Sequence, residues 1–221
     1  DSFCTGVLIA PDLVLTAAHC FREKHHQPAL YFSTQIPSVV TAKDPHLIPI
    51  KHVLIHPDFN ATALDALDQK IANLLELPDP PKAINDLALI FIDMAPPDSY
   101  EPVPLASLDT DLQNTKITTA GYGCLSTVCN EPSTRLRKVS MKWVRTISSK
   151  NFIVLASGGS KGACAGDSGG PDFLEGRQRL ELLSIVGTGP AACEIGLSLD
   201  TLIAPYADWI KASSLVIRSQ I

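Results

Sequence analysis

The chain has 221 residues, a formal net charge of −5 and 45% hydrophobic residues. Such a length accommodates one large domain or two small ones, and the hydrophobic content excludes a disordered chain. The negative charge argues against nucleic acid as a partner, and prolines and aspartates interrupt every apolar run before it could span a bilayer.

Short apolar runs separated by proline, glycine and aspartate indicate β structure along most of the chain. Nine of them are typical of strands, namely residues 6–10, 13–17, 29–32, 50–55, 87–92, 116–120, 137–144, 152–156 and 180–186. Many short strands with turn signals between them predict an all-β barrel or sandwich.

Two segments have helical periodicity instead. Residues 61–77 carry apolar side chains at helical spacing, closed by a proline, and predict an inserted amphipathic helix: Leu64, Leu67, Ile71, Leu74, Leu75 and Pro78. Residues 203–216 predict a C-terminal helix with one apolar face formed by Ile203, Tyr206, Ile210 and Leu215.

Three short motifs carry the residue types of nucleophilic catalysis. They are Leu15-Thr16-Ala17-Ala18-His19-Cys20, Asn85-Asp86-Leu87-Ala88-Leu89-Ile90 and Cys164-Ala165-Gly166-Asp167-Ser168-Gly169-Gly170-Pro171. A serine is a weak nucleophile until a base takes its proton, and imidazole titrates in the right range to do so. A carboxylate would hold the imidazole in the required tautomer, so we predict a catalytic triad of His19, Asp86 and Ser168.

Together these motifs resemble the trypsin/chymotrypsin-like serine protease family, over a stretch from Phe3-Cys4 to the tail Ala207-Asp208-Trp209-Ile210-Lys211. The resemblance implies two packed six-stranded antiparallel β-barrels with the active site in the cleft between them. We expect residues 1–110 to form the N-terminal barrel with His19 and Asp86. Residues 111–221 are expected to form the C-terminal barrel with Ser168, followed by the C-terminal helix.

The resemblance also implies roles for the residues beside the serine. The backbone N–H groups of Gly166 and Ser168 are expected to form the oxyanion hole. Asp167 is expected to pair with an α-amino group that proteolytic activation creates. The first cysteine is already Cys4, so the family's first strand and activation terminus are expected to lie outside this chain. If that amine is missing, a zymogen-like state is expected.

The six cysteines show no CxxC spacing typical of a metal site. The resemblance implies disulfides Cys4–Cys20 and Cys164–Cys193, and Cys124–Cys129 follows by elimination. Three disulfides predict an oxidising compartment, so that the protein is secreted, extracellular or periplasmic. Six buried free thiols are the alternative.

Specificity is predicted from the positions that line the family's primary pocket. Its base lies six residues before the serine, where this chain has Gly162 followed by Ala163, so no carboxylate is offered there. Counting back from Trp209 aligns Ser198 and Asp200 with the back wall. We expect an uncharged pocket for apolar side chains, whereas Asp200 keeps a preference for basic residues open.

The strand that would bind an extended peptide departs from the family pattern. Gly187-Thr188-Gly189 stands where the family commonly has Ser-Trp-Gly. Asp86 therefore lacks the serine hydroxyl that usually supports it. The strand can still pair with a peptide, because pairing needs only backbone groups.

The sequence thus predicts a secreted serine endopeptidase that acts through an acyl-enzyme on Ser168. The alternative is a latent or non-catalytic binding module. Expected partners are polypeptide substrates, with an activating protease or a protein inhibitor as further candidates. No cofactor is expected, and no metal, since His52 and His56 lack an evident third ligand. The inserted helix 61–77 either decorates the first barrel or walls the cleft.

Overall fold

A computed structural model describes residues 3–22, 28–69, 84–107, 111–126, 128–129, 133–147, 151–175 and 179–220. Strands dominate this part of the chain, as predicted, and α-helix is confined to two segments. None of the helices found there has both the length and the apolar character that crossing a membrane requires.

Six strands lie in the N-terminal half: β1 (Val7–Ala10), β2 (Leu13–Thr16), β3 (Ala29–Tyr31), β4 (Leu47–Pro49), β5 (His52–Ile55) and β6 (Ala88–Phe91). They form a four-stranded sheet of order β1-β2-β6-β5 and a separate β3-β4 pair. Both sheets contribute to one core of Leu8, Val14, Phe32, Ile48, Ile90 and Ile92. Within the described residues, the predicted first barrel consists of two sheets around a common core, with β3 and β4 paired to each other.

Six further strands form a closed antiparallel barrel in the C-terminal half, of order β10-β11-β12-β9-β8-β7. They are β7 (Ile117–Gly121), β8 (Arg137–Ile147), β9 (Phe152–Ala156), β10 (Pro171–Leu174), β11 (Glu181–Thr188) and β12 (Leu197–Leu202). Ile117, Met141, Ile153, Leu155 and Leu174 fill its centre. This closed barrel confirms the predicted fold class.

The inserted helix α1 (Ala61–Asp68) begins at Asn60, whose side chain accepts a hydrogen bond of 3.0 Å from the N–H of Ala63. Its buried face, Leu64 and Leu67, packs on C-terminal barrel residues that include Phe152 and Leu199. It is therefore not a decoration of the first barrel. The predicted helix ran to residue 77, and residues 70–77 lie outside the described part of the chain.

The C-terminal helix α2 (Ala207–Gln220) begins four residues later than predicted, because residues 204–206 form a short 3-10 turn that contains Pro205. Its buried face is consequently Ile210, Ser214 and Ile217, whereas Leu215 is exposed. The face packs on a cluster shared by β1, β2, β6 and β11. α2 thereby links the two halves and steadies the cleft between them.

Candidate active site

His19 and Asp86 come together because their strands are neighbours in the N-terminal sheet. His19 lies in a 3-10 turn (Ala18–Phe21) just after β2, and Asp86 precedes β6 by two residues. β2 and β6 are antiparallel, with Thr16 opposite Ala88. The end of one strand thus lies beside the start of the other, so two residues far apart in sequence meet at the same sheet edge.

Asp86 holds His19 through two hydrogen bonds. Its Oδ1 accepts from the backbone N–H of His19 at 2.8 Å, and its Oδ2 lies 2.6 Å from Nδ1 of the ring. Asp86 is only 1% exposed, so water does not compete for the carboxylate. Burial lowers the pKa of His19, but the hydrogen bond and charge of Asp86, together with the charge of Asp68, outweigh it and raise the pKa. With Nδ1 engaged, Nε2 is the nitrogen left for chemistry.

Ser168 lines the same cleft as His19, a space of about 1160 Å³ between the two halves. Ser168 immediately precedes the Gly169-Gly170 pair that leads into β10. The structure has no hydrogen bond between Ser168 Oγ and His19, both of which are described residues. Catalytic hydrogen bonds are commonly long without substrate and tighten in the complex.

The backbone around Ser168 is anchored peptide by peptide. The carbonyl of Ala165 accepts from Cys124 N–H at 2.9 Å, and that of Asp167 accepts from Gly170 N–H at 2.8 Å. A trans peptide places its C=O and N–H on opposite sides, so the N–H groups of Gly166 and Ser168 point away from these anchors. Neither N–H donates to another residue in the described ranges, which leaves both available to a ligand.

Asp167 turns away from the cleft into a largely buried site. Its carboxylate accepts from Gly123 N–H at 2.8 Å and from Cys164 N–H at 2.9 Å, and burial raises its pKa. Gly121 and Gly123 make room for it, because a Cβ at either position would collide with the carboxylate. Among the described residues its partners are thus backbone N–H groups, and an α-amino group is not one of them.

Comparison with known proteins identifies the family of this fold. A family model described as Trypsin matches residues 1–210. The chain belongs to the trypsin family. It is similar to mouse kallikrein 1-related peptidase b27, with 26% identity over 94% of this chain and 79% of that protein. It is similarly related to rat granzyme M, with 27% identity over 94% and 78%. A trypsin of Phaedon cochleariae is 26% identical over 95% and 78%.

The specificity positions of this trypsin-family chain divide into two groups. Ala163, Gly187, Thr188 and Gly189 line the cleft. Gly162 does not, because it packs on the neighbouring backbone, where a Cβ would lie 2.7 Å from Gly196 Cα and 2.9 Å from Cys193 O. The predicted place of Gly162 at the base of the pocket therefore does not correspond to a cleft-lining position in the structure.

Ser198 and Asp200 also lie outside the cleft, which corrects their predicted place in the pocket wall. Both side chains are buried in the barrel, and Asp200 is 0% exposed. Its carboxyl accepts from Gly187 N–H at 3.2 Å and from Ser198 Oγ at 2.6 Å. Asp200 thus holds β11 from behind, and its side chain does not enter the cleft.

A second buried carboxyl group accompanies Asp200, and the sequence reasoning missed it. Asp172 is 0% exposed and accepts hydrogen bonds from Thr119 Oγ1 and from Ser184 Oγ. Burial raises the pKa of Asp172 to about 6; burial and the charge of Asp172 raise that of Asp200. The available signal was an aspartate directly after the serine motif, at the start of a buried strand.

Helix α1 forms part of the cleft wall. Its last residue, Asp68, lines the cleft and accepts a hydrogen bond of 2.7 Å from Thr188 Oγ1. Asp65, one turn earlier, makes a bidentate pair with Arg22, at 2.6 and 2.7 Å, just beyond the turn that carries His19. The sequence analysis did not single out Asp68, because the predicted helix ran to residue 77 and placed Asp68 in its middle.

Three disulfides brace the site: Cys4–Cys20, Cys124–Cys129 and Cys164–Cys193. The first joins the chain ahead of β1 to the His19 turn, and the third joins the serine loop to the segment after β11. Ligand atoms of Cys4, His19 and Cys20 lie within 4.8 Å of one another. The two sulfurs are bonded to each other, however, and offer no thiolate to a metal ion.

Proposed function

We propose that the protein is a secreted serine endopeptidase that hydrolyses peptide bonds through an acyl-enzyme on Ser168. The observation that carries the proposal is the His19–Asp86 pair in the same cleft as Ser168, in a chain of the trypsin family. A buried carboxylate on Nδ1 leaves Nε2 as the nitrogen that can act as the base for the serine.

In this mechanism His19 takes the proton of Ser168 Oγ as the oxygen attacks the substrate carbonyl. The oxyanion that forms is stabilised by the free N–H groups of Gly166 and Ser168. His19 then returns the proton to the leaving amine, and the acyl group stays on Ser168 until water removes it by the same steps. The charge of Asp86 stabilises the imidazolium throughout.

We further propose that the substrate binds as an extended strand along Gly187–Gly189 and that its primary side chain is apolar. A side chain that enters between Ala163 and this strand meets no free carboxylate among the described lining residues, because Asp68 is engaged by Thr188 Oγ1. Asp200 is buried behind the strand and bonded to Gly187. Chromogenic peptides that differ only in having Ala, Leu, Phe or Arg before the cleaved bond test this. Preference for Arg over Leu and Phe would refute it.

Replacement of Ser168 by Ala tests the catalytic assignment. We expect Ser168→Ala to lose peptide hydrolysis and to keep the circular-dichroism spectrum of the parent. Ser219→Ala, at an exposed position on α2, is the matched control and should keep full activity. Normal turnover by Ser168→Ala would end the proposal.

A latent form is the second candidate, favoured by the surroundings of Asp167. Among the described residues, two backbone N–H groups hold its buried carboxylate, and Ser168 is not hydrogen-bonded to His19. Labelling of Ser168 by a fluorophosphonate before and after treatment with an activating protease separates the two. Labelling only after treatment supports the latent form, and equal labelling supports constitutive activity.

Secretion is proposed because three disulfides persist only under oxidising conditions. Extracellular polypeptides would then be the substrates, with an activating protease or a protein inhibitor as additional partners. Tagged protein recovered from the medium with no free thiols is the expected result. Retention in the cytosol with reduced cysteines would contradict secretion.

A further inference from the structure

Thr5, which the sequence analysis did not consider, lies between the two halves directly beside the serine loop. It is 6% exposed and takes part in four hydrogen bonds. Its N–H donates to Ser168 O at 3.0 Å, and its carbonyl accepts from Thr16 Oγ1 at 2.8 Å. A single residue thus ties the N-terminal sheet to the backbone of the nucleophile.

The hydroxyl of Thr5 bridges two further backbone segments. It donates to Gly166 O at 2.9 Å and accepts from Tyr122 N–H at 3.3 Å. Only a hydroxyl can do both in this space, because it is donor and acceptor at once. Valine has the same shape but neither capacity, whereas serine has both.

This bridge controls Gly166 in particular. Gly166 has φ +95°, a conformation that glycine tolerates, and the Phe3 ring packs where a Cβ would be. The peptide before Gly166 is held through Ala165 O by Cys124. The peptide after it is held on both sides, through Gly166 O by Thr5 and through the N–H of Asp167 by Cys164 O at 2.9 Å. The Gly166 N–H lies in the first of these peptides, so Thr5 acts on its direction through the backbone torsions of Gly166, which a glycine leaves loose when a bond on either side is lost.

We propose that Thr5 is a positioning residue that fixes the Gly166 N–H for the transition state. The inference rests on the proposed function, since it assigns an effect on that same reaction. An N–H aimed at the oxyanion binds the transition state more strongly than the substrate, so its misalignment lowers kcat and leaves KM largely unchanged.

The test compares Thr5→Val with Thr5→Ser. Removal of one oxyanion donor outright costs about 100- to 1000-fold in kcat, so loosening one should cost about 10- to 100-fold. We expect that loss for Thr5→Val, with KM within about 2-fold and with weaker binding of a peptide aldehyde that mimics the tetrahedral intermediate. Thr5→Ser keeps the hydroxyl group and should therefore have the kcat of the parent. Thr201→Val is the matched control, because Thr201 is equally buried and its hydroxyl has no partner in the described structure.

Several outcomes overturn the inference without touching the proposed function. One is an active parent protein whose Thr5→Val variant keeps the parental kcat. Another is a Thr5→Val variant whose KM rises while its kcat is unchanged. A failure of Thr5→Ser to rescue would also overturn it. If Thr5→Val does not fold, Thr5→Ala against Thr5→Ser gives the same comparison. An inactive parent, unlabelled by fluorophosphonate even after proteolytic treatment, would instead refute the proposed function.

Discussion

The buried pair Asp172 and Asp200 predicts a stability that falls as the pH rises. Burial raises the pKa of Asp172 from 3.8 to about 6, and burial together with the charge of Asp172 raises the pKa of Asp200 well above its usual value. A carboxyl group whose pKa is raised on folding stabilises the fold when it is protonated. This contribution is fully present below 3.8 and is lost as the pH rises through about 6.

The magnitude follows from the two pKa values of Asp172. The interval from 3.8 to about 6, at about 1.36 kcal/mol per pH unit, corresponds to about 3 kcal/mol of unfolding free energy. Asp172→Asn removes this titration. The amide oxygen can still accept from Thr119 or Ser184, and the amide N–H₂ can donate to Asp200. We therefore expect the variant to gain about 3 kcal/mol relative to the parent between about pH 4 and pH 8.

Denaturant unfolding at a series of pH values, with the disulfides intact, measures this difference. Asp98→Asn is the control, since Asp98 is exposed and loses the same charge without leaving the core. The unfolding free energy of Asp98→Asn should equal that of the parent at every pH. Parallel pH profiles for Asp172→Asn and the parent would show that the buried pair does not titrate as argued.

Three further predictions concern the site and its wall. Asp68→Asn should lower the pKa of His19, because the negative charge of Asp68 raises that pKa against the effect of burial. The acidic limb of the pH profile of kcat/KM should therefore move to lower pH, and an unchanged acidic limb would contradict this. Asp86→Asn should lower kcat about 10⁴-fold in steady-state assays, since the imidazole loses the acceptor that fixes its tautomer; a loss of less than about 10-fold would argue against the triad. Asn60→Ala should cost about 1 kcal/mol in denaturant unfolding through loss of the cap to Ala63, and unchanged stability would count against that cap.

The sequence was most informative where chemistry restricts the choice of residue. Few other residues can do the chemistry of the serine motif, of the histidine before Cys20 or of Asp86 in the Asn85-Asp86 pair. The residue types of the three segments were therefore sufficient to predict that they form one site. Runs such as β2 and β6 were also predictable, because strands buried on both faces are almost wholly apolar.

Strands with buried polar residues escaped the same reasoning. β10 begins at Pro171 and contains Asp172, and β12 contains Ser198, Asp200 and Thr201. Such residues suggest exposure, but most of them here satisfy one another inside the barrel. Local patterns do not show which partner a distant polar group will find, so they could not correct the alignment from Trp209 that predicts Asp200 in the pocket wall.

The placement of α1 on the second barrel was equally unpredictable. Its periodicity identified an apolar face but not the surface that face would cover, because helical spacing does not encode tertiary partners. Leu64 and Leu67 could have packed on either half. The structure places them against Phe152 and Leu199, and this brings Asp68 to the cleft.

The most direct test of the central claim is the intact mass of the protein after treatment with a fluorophosphonate. We expect one adduct, located on Ser168 by peptide mapping and absent from Ser168→Ala. An adduct elsewhere, or none even after proteolytic activation, would contradict the claim that His19, Asp86 and Ser168 form a working triad.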